Sequence, residues 1–258
     1  MTRPVVLSIA GLDPSGGAGI VADIKTISAL GCFPAAAVTS ITFQNTTGVF
    51  GAEHQSAATL RAQVEPIVQD VTVAAAKTGM LPTAEIVAEV ARLFAEGNLP
   101  APVVDPVVVA TSGDVLIGDE AFAILKTKLF PLARLVTPNI PEAEKLAGFS
   151  IATEDDMRRA ARAIQLLGPR AVLVKGGHRS LNGQALDILL DENEIFTEFQ
   201  TEYVEVGEVH GSGCTLSAAI AAGLAKDLTL EQAIAAAKKY VTDAIRSAAR
   251  IGHGAMPL

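Results

Sequence analysis

Cysteine, aromatic residues and tryptophan are what this sequence of 258 residues has least of: two cysteines, 4% aromatic residues and no tryptophan. Cys32 and Cys214 are too few for a disulfide framework and lack the spacing of metal ligands, which indicates a reducing compartment. Apolar runs are also short. None reaches the ~18 uncharged residues that a membrane span needs, and the first residues do not form a signal peptide. We therefore expect a soluble cytoplasmic protein without membrane contact.

Positive charge is in deficit as well. The 20 lysine and arginine residues compare with 28 aspartate and glutamate residues, and the formal net charge is −8 at pH 7. This balance argues against nucleic acid as a partner, although a local basic pocket is compatible with it. No linker, low-complexity tract or internal repeat divides the chain. We therefore expect a single domain over residues 1–258, with a sizeable core.

Short apolar segments of strand length alternate with segments of helical periodicity. The first pair is a strand at 5–10 and a helix at 20–30, in which Ile20, Ile24 and Ile27 share one face. Further strands are predicted at 35–43, 73–77, 102–105, 134–137 and 171–175, and helices at 57–69, 83–96, 120–129 and 155–167. A hairpin of strands at 185–190 and 195–201 and alanine-rich helices at 215–225 and 230–249 complete the pattern. This alternation predicts an α/β fold with a mostly parallel sheet covered on both faces.

The glycine-rich loop after the first strand contains Gly17, Ala18 and Gly19. It matches a relaxed dinucleotide-binding pattern, but the strand ends too early and no acidic residue closes a second strand about 20 residues later. The sequence also has no Walker-type phosphate loop. Two interpretations are left open: a loop that lets a small ligand approach the backbone, and an ordinary turn.

A second glycine-rich stretch, Gly211-Ser212-Gly213-Cys214, precedes the small-residue helix near the end of the chain. The first amides of a helix have no intrahelical acceptor, and together with the helix dipole they bind anions. A thiol in that position is expected to have a lowered pKa, because the same field favours thiolate. The stretch therefore predicts either an anion hole with a reactive group at its rim or a glycine turn with an inert cysteine.

Polar side chains also follow three of the predicted strands. Asp105 ends one strand, Asn139 and Glu142 follow the next, and Lys175 ends a third. A carboxylate and an amide suit Mg²⁺, and a lysine suits phosphate. The alternatives are a turn residue, a helix first-turn acid and a solvated lysine. Because ligands of parallel sheets bind at the carboxyl ends of the strands, the clusters together indicate phosphoryl transfer.

As a set, these motifs resemble the ribokinase-like superfamily, and within it the hydroxymethylpyrimidine/phosphomethylpyrimidine kinases of thiamine synthesis. The matching segments are GLDPSGGAGIVADIKT from Gly11, QNT from Gln44, KTGML from Lys77, DPV from Asp105, TPNIPEAE from Thr137, KGGH from Lys175 and HGSGCTLSAA from His210. The resemblance implies a three-layer α/β/α ribokinase-like fold, the use of ATP with Mg²⁺, and a homodimer. It also implies phosphorylation of 4-amino-5-hydroxymethyl-2-methylpyrimidine and then of its monophosphate.

The same resemblance implies a role for each matching residue. The pyrimidine pocket would consist of Gln44, which hydrogen-bonds the aminopyrimidine, Met80, which packs on its ring, and Gly11, Ala18, Asp23 and Val107. Asp105 and Glu142 would hold Mg²⁺, and Asn139, Lys175, Gly177, Gly211 and Gly213 would contact ATP. The catalytic group would consist of Lys175, Gly211, Ser212, Gly213 and Cys214. Whether Cys214 is the base or only lines the anion hole stays open.

Two alternative functions follow from the same motifs. A pyridoxal kinase of vitamin B6 salvage is disfavoured by Gln44, which suits an aminopyrimidine, and by Ala110, where some B6 kinases have a lid cysteine. A non-catalytic pyrimidine-binding protein is disfavoured because the expected catalytic residues are intact. The stretch at 111–119 is interpreted either as a lid or as a linker.

Overall fold

One sheet of nine strands organises the part of the chain that the structure describes, residues 3–108, 117–177 and 183–258 of a computed structural model. The strands are β1 Val5–Leu12, β2 Phe33–Asn45, β3 Gly48–His54, β4 Val73–Thr78, β5 Val103–Val104, β6 Leu135–Val136, β7 Val172–Lys175, β8 Gln184–Leu190 and β9 Phe196–Glu202. Their order in the sheet is β3-β2-β1-β4-β5-β6-β7-β8-β9. The six strands from β2 to β7 in this order are parallel, whereas β3, β8 and β9 are antiparallel to their neighbours.

Eight α-helices connect or follow these strands in the described residues. They are α1 Gly19–Ala29, α2 Ala57–Asp70, α3 Ala84–Ala95, α4 Asp119–Ile124, α5 Ile140–Ala147, α6 Glu154–Gln165, α7 Ser212–Leu224 and α8 Leu230–Ser247. A π-helical turn, Leu125–Leu129, and a 3₁₀ turn, Phe130–Leu132, extend α4. A separate parallel pair consists of β10 Val209–His210 and β11 Met256–Pro257. No helix in this part of the chain combines the length and apolar character needed to cross a membrane.

The sheet is covered on both faces, because successive residues of its buried strands point to opposite sides. Val104 packs in the core formed with α2 to α6, whereas Val103 packs in the core formed with α1, α7 and α8. The same alternation separates Val136 from Leu135. The predicted three-layer α/β/α fold with a mostly parallel sheet is therefore confirmed.

Most predicted elements are present, but their boundaries differ, and several features, including the β10–β11 pair, were not predicted. Strand β3 was missed because GVFGAEH contains two glycines and half its side chains are exposed. Helix α5 was not among the predicted helices, although one interpretation made Glu142 a helix first-turn acid, and Asn139 and Glu142 do form a capping box at its start. The helix predicted at 120–129 is α-helical only as far as Ile124, after which the π-helical turn follows.

Candidate active site

A cavity of about 820 Å³ opens at the carboxyl ends of the parallel strands, where ligands of such sheets bind. The structure brings together in its lining all the predicted site residues except Asp23: Gly11, Ala18, Gln44, Met80, Asp105, Val107, Asn139, Glu142, Lys175, Gly177, Gly211, Ser212, Gly213 and Cys214. The three polar strand-end clusters and the Gly211–Cys214 stretch therefore face one cavity. Its volume lies within the range of about 300–1,000 Å³ that small-molecule sites occupy.

The start of α7 forms one part of the cavity lining. Gly211 is the N-cap, with φ of +90°, and a Cβ at this position would overlap the carbonyl oxygen of Gly17. No side chain caps the helix and no acidic residue lies in its first turn. The helix begins at Ser212, three residues earlier than predicted, so that Cys214 lies within the first turn. This turn has the geometry of an anion hole.

An ion pair between Lys175 and Asp105 lies against this turn. The Lys175 Nζ is 3.2 Å from Asp105 Oδ1, and both side chains are largely buried. A Cβ on Gly213 would be 3.3 Å from that Nζ and 3.4 Å from Asp105 Oδ2, so the absence of a side chain allows the close approach. Burial alone lowers the pKa of Lys175, but the carboxylates of Asp105 and Glu142 outweigh it and raise the pKa. Lys175 is therefore a cation at neutral pH.

Glu142 has a structural role and also lines the cavity. Its Oε2 accepts a hydrogen bond from the Asn139 backbone N–H at 2.9 Å, while the Asn139 side chain accepts one from the Glu142 N–H at 2.9 Å. Its Oε1 accepts a hydrogen bond from the Val108 N–H at 3.2 Å. Burial is the main cause that raises the pKa of Glu142. The interpretation as a helix first-turn acid is thus correct, and it does not exclude a metal role.

The donor set at this end of the cavity suits a divalent cation that is bound together with phosphate. Asp105 and Glu142 supply two buried carboxylates, but no group of three or more acidic, histidine or cysteine side chains in the described residues could hold a metal by itself. Mg²⁺ commonly binds through one or two carboxylates, with water and phosphate oxygens as its other ligands. The residues present therefore fit Mg²⁺ better than a metal that needs a closed protein site.

The glycine-rich loop is held by Asp13, which was quoted only as part of a motif. Its Oδ2 accepts hydrogen bonds from the backbone N–H groups of Gly17 and Ala18, at 3.1 and 2.9 Å, and its Oδ1 accepts from Ser15. His210 Nε2 lies 3.3 Å from the same Oδ2. Burial raises the pKa of Asp13, but the bonds from His210 and Ser15 outweigh it and hold the pKa at about 2.

Gln44 and Met80 also line the cavity. The register between β2 and β3 shifts between Phe43 and Gln44, and such a bulge re-aims the side chain beside it. Met80 packs against Gly11, where an added Cβ would be 3.4 Å from the Met80 sulfur. Val107 has φ of +20°, which is rare for a β-branched residue and marks local backbone strain.

The assignment of Asp23 to the pyrimidine pocket is corrected, because the structure places this residue outside the cavity lining. Its side chain is fully buried, with Oδ2 accepting a hydrogen bond from Ser8 at 2.6 Å and lying 3.0 Å from Lys77 Nζ. Its Oδ1 accepts from Lys77 as well, at 3.1 Å. Burial alone lowers the pKa of Lys77, but the Asp23 carboxylate outweighs it and raises the pKa. The signal for this pair was a lysine inside the apolar run VTVAAAKTG.

The predicted lowering of the Cys214 pKa is wrong. Burial raises the pKa of the thiol to about 11; the Lys77 ammonium opposes this rise, and the Asp23 and Asp105 carboxylates add to it. The helix terminus acts on a desolvated thiol, for which the charged form is costly. Cys214 is therefore a neutral thiol at pH 7.

The remaining lining was not predicted from the sequence. Most of it comes from the end of β9, the segment that leads into β10, the start of β10, and α8: Thr201, Glu202, Tyr203, Val204, Val206, Gly207, Glu208, Val209, Lys238, Val241, Thr242 and Ile245. A buried ion pair joins Lys238 Nζ to Asp187 Oδ2 at 2.6 Å, and Asp187 Oδ1 accepts a hydrogen bond from the Gly176 N–H at 3.0 Å. The sequence carried a signal for this ion pair, because Asp187 lies inside the apolar segment ALDILL and Lys238 inside the apolar segment AIAAAKKYV. Ala110, His178 and residues 111–116 lie outside the described residues.

Comparisons with known proteins agree with this geometry. The family model for phosphomethylpyrimidine kinase matches residues 13–258. A hydroxymethylpyrimidine/phosphomethylpyrimidine kinase of Streptomyces coelicolor is 44% identical over 258 residues, which are 100% of this chain and 94% of that protein. The crystal structure of phosphomethylpyrimidine kinase from Clostridium difficile 630 is similar with a TM-score of 0.82 at 42% identity, covering 94% of this chain and 100% of that one. The pyridoxal kinase from Staphylococcus aureus in complex with AMP-PCP and pyridoxal has a TM-score of 0.91 at 30% identity, covering 100% of this chain and 93% of that one.

Proposed function

Because this chain belongs to the phosphomethylpyrimidine kinase family, we propose that it phosphorylates 4-amino-5-hydroxymethyl-2-methylpyrimidine with ATP and then phosphorylates the monophosphate to the pyrophosphate. One observation carries the proposal: the first turn of α7 lies against the Lys175–Asp105 pair, in the cavity that also contains Gln44. A backbone anion hole, a cation and an amide that can recognise an aminopyrimidine therefore share one site.

The pyrimidine is proposed to bind between β1, β2 and β4. The Gln44 amide has both donors and an acceptor, which match the ring nitrogen and amino group of an aminopyrimidine. Met80 offers a polarizable sulfur that packs well on an aromatic ring. Gly11, Ala18 and Val107 complete this side of the lining without adding charge.

ATP is proposed to bind in the other half of the cavity. The cation Lys175 and the amides of the α7 first turn would contact its phosphates, with Asn139 and Gly177 beside them. The apolar side chains of Val204, Val206, Val241 and Ile245 line the far end, where a nucleobase would be buried.

We propose Mg²⁺ as the metal that accompanies ATP, with Asp105 and Glu142 as the residues that would hold it directly or through water. When bound, the ion neutralises charge on the phosphate oxygens. Even without the metal ion, Lys175 and the α7 amides place positive potential at the same point of the cavity.

In the proposed reaction, the hydroxymethyl oxygen forms a bond to the γ-phosphorus while the bond from that phosphorus to the bridging oxygen of ADP breaks. The α7 amides and Lys175 stabilise the charge on the transferred oxygens. Binding both reactants in one cavity would lower the entropic cost of bringing them into line.

We assign Cys214 to the lining of the anion hole rather than to the base, because its thiol is neutral at pH 7. The transition state of phosphoryl transfer is loose, so the hydroxyl proton can leave late, to an oxygen of the transferred phosphoryl group or to water, and a strong base is not required. The thiol is free and lies in the first turn of α7, where it lines the cavity.

The proposal is tested by kinetics with three acceptors side by side: the hydroxymethylpyrimidine, its monophosphate and pyridoxal. We expect ADP release that depends on the pyrimidine, with both the monophosphate and the pyrophosphate as products. A higher kcat/KM for pyridoxal would favour the B6 kinase alternative, for which the similarity to pyridoxal kinases is the supporting observation. Binding of the pyrimidine without ADP release would identify a non-catalytic binding protein.

We also propose that the protein is a homodimer of a reducing cytoplasm. Both cysteines, Cys32 and Cys214, are free thiols. Ile41, Phe43 and Phe50 are 41%, 51% and 70% exposed on the β2–β3 hairpin, at the edge of the sheet. Such a group of apolar side chains is typical of a surface that a second chain covers.

A further inference from the structure

The segment that follows α8, residues 252–258 (called the strap below), connects the turn of the β2–β3 hairpin to the segment that leads into β10. On one side, the Ala255 N–H donates a hydrogen bond to the Thr46 carbonyl oxygen at 2.8 Å, and the Gly254 N–H donates to Thr46 Oγ1 at 3.2 Å. On the other side, the Met256 N–H donates to the Glu208 carbonyl oxygen at 2.8 Å.

The contact between the strap and Thr46 is close enough to require glycine at two positions. A Cβ on Gly254 would overlap the Thr46 carbonyl oxygen, and a Cβ on Gly252 would overlap Thr46 Oγ1 and lie 3.1 Å from Thr46 Cγ2. The backbone of the strap therefore lies directly on the turn of the β2–β3 hairpin. This turn is two residues from Gln44, the proposed pyrimidine ligand.

The other end of the strap joins the anion hole to the glycine-rich loop. Strand β11 of the strap pairs with β10, which immediately precedes the N-cap Gly211. A Cβ on Gly17 would be 2.9 Å from the His210 ring and 3.1 Å from Pro257, so these three residues pack closely. The contact of His210 Nε2 with Asp13, at 3.3 Å, fixes β10 to the same loop.

No residue of the strap lines the cavity, and its residues are exposed or only partly buried. Removing it would therefore remove no contact with a substrate and would expose little of either core. Its contacts act on the position of two loops instead, one beside Gln44 and one beside Gly211.

We propose that the strap is a positioning element of the active site, which holds the pyrimidine-binding hairpin and the anion hole in register with each other. This inference rests on the proposed function, since it concerns how the acceptor hydroxyl and the transferred phosphoryl group are aligned. A misplacement of about 1 Å between reacting groups is enough to cost about 100-fold in rate.

The test compares the native chain with Gly254→Ala and with a chain lacking residues 252–258. We expect kcat with the hydroxymethylpyrimidine to fall at least tenfold in both, while KM for ATP changes less than threefold. If the strap had only a structural role, its loss would lower the amount of folded protein but leave kcat per folded molecule unchanged. Each rate is therefore divided by the concentration of folded protein, which thermal unfolding measures. The matched control is Gly48→Ala on the same hairpin, where an added Cβ meets no atom within 4 Å. We expect its kcat to stay within twofold of the native value.

A double-mutant cycle covers the case in which those variants fail to fold. Gly252→Ala overlaps only side-chain atoms of Thr46, so Thr46→Ala should relieve part of the overlap. We expect the loss of kcat from Gly252→Ala to be at least threefold smaller in the Thr46→Ala background. Equal losses in both backgrounds, or folded strap variants with native kcat, would overturn the proposal. A native chain that phosphorylates no pyrimidine would instead overturn the proposed function, and the two failures are thereby distinguished.

Discussion

Cys214 lies in the first turn of α7, where free amides favour a thiolate and the surrounding protein disfavours one. Burial raises its pKa to about 11, so burial outweighs the helix terminus. Lys77 opposes the rise, but Asp23 and Asp105 add to it. At the scale of single residues, the charge of this thiol is therefore determined by what packs around it.

The first prediction concerns Cys214→Ala. We expect the variant to fold and to keep kcat within about 100-fold of the native value, because the α7 amides and Lys175 remain in place. Steady-state ADP release at pH 7 to 8 measures the effect, and Cys32→Ala, which removes a buried thiol remote from the cavity lining, is the control. If kcat instead falls by about 10²–10⁴-fold and Cys214→Ser does not restore it, the thiol acts as the general base.

The second prediction concerns Gln44→Ala. Removing the amide that is proposed to bond the aminopyrimidine should weaken pyrimidine binding by about 1–3 kcal/mol, and KM for the pyrimidine should rise accordingly. KM for ATP is the internal control, because the residues proposed to contact ATP, Lys175 and the α7 amides among them, do not include Gln44. An unchanged KM for the pyrimidine would remove Gln44 from the binding site.

At the scale of secondary-structure elements, the site depends on how α7 begins. A helix terminus with a glycine N-cap in the left-handed region exposes its amides, and only glycine fits against Gly17 at this point. Helix α5 begins differently: the capping box of Asn139 and Glu142 satisfies its amides internally. Two helix starts at the same edge of the sheet thus have different chemistry, and α7 is the one that can bind an anion.

The third prediction concerns Gly211→Ala. The added Cβ would overlap the Gly17 carbonyl oxygen, so the first turn of α7 must move and kcat should fall by more than about 100-fold. Gly97→Ala is a matched control, since Gly97 has a similar φ of +81° but no atom within 4 Å of an added Cβ. We expect this control to lose about 1–2 kcal/mol of stability, with native kcat. Native turnover in folded Gly211→Ala would contradict the anion-hole assignment.

The fourth prediction concerns the buried pair that joins α1 to β4. Lys77→Met should lower the free energy of unfolding by about 3–5 kcal/mol, because it leaves the Asp23 carboxylate buried without its cation. Lys77→Met combined with Asp23→Leu should recover part of this loss. Urea unfolding measures both variants, with Lys239→Met in the exposed pair to Asp243 as the control, for which less than about 1 kcal/mol is expected. A double variant less stable than the single one would contradict this account.

At the scale of the whole molecule, the sheet ends at an exposed edge. The β2–β3 hairpin carries Gln44 and also exposes Phe43 and Phe50. An exposed apolar edge of this kind promotes aggregation unless another surface covers it. The proposed homodimer would cover the hairpin that also contains Gln44, the proposed pyrimidine ligand.

The fifth prediction tests this assembly. Replacing Phe43 and Phe50 together by serine should shift the sedimenting species from two chains to one at micromolar concentration, because apolar area is lost from the interface. Leu166→Ser, which removes an 89% exposed leucine far from the hairpin, should leave the dimer intact. A native chain that sediments as a monomer, or a serine variant that stays dimeric, would contradict the assignment.

Much of this protein followed from the sequence alone, because periodicity and backbone chemistry are local. Alternating apolar segments determined the α/β class, and polar residues after the strands determined which side chains meet at one edge. The glycines before α7 indicated an anion hole from the backbone alone. Where the local pattern was weak, as in the exposed strand β3, the element was missed.

Only the tertiary structure decided what depends on burial and on pairs distant in sequence. Asp23 was predicted to contact the substrate, yet it pairs with Lys77, 54 residues away, beneath the cavity. The thiol of Cys214 was predicted to ionise readily, yet desolvation holds it neutral at pH 7. The strap contacts Thr46, although the two are more than 200 residues apart in the sequence. No local pattern encodes these contacts, because each depends on which surfaces the whole fold brings together and from which it excludes water.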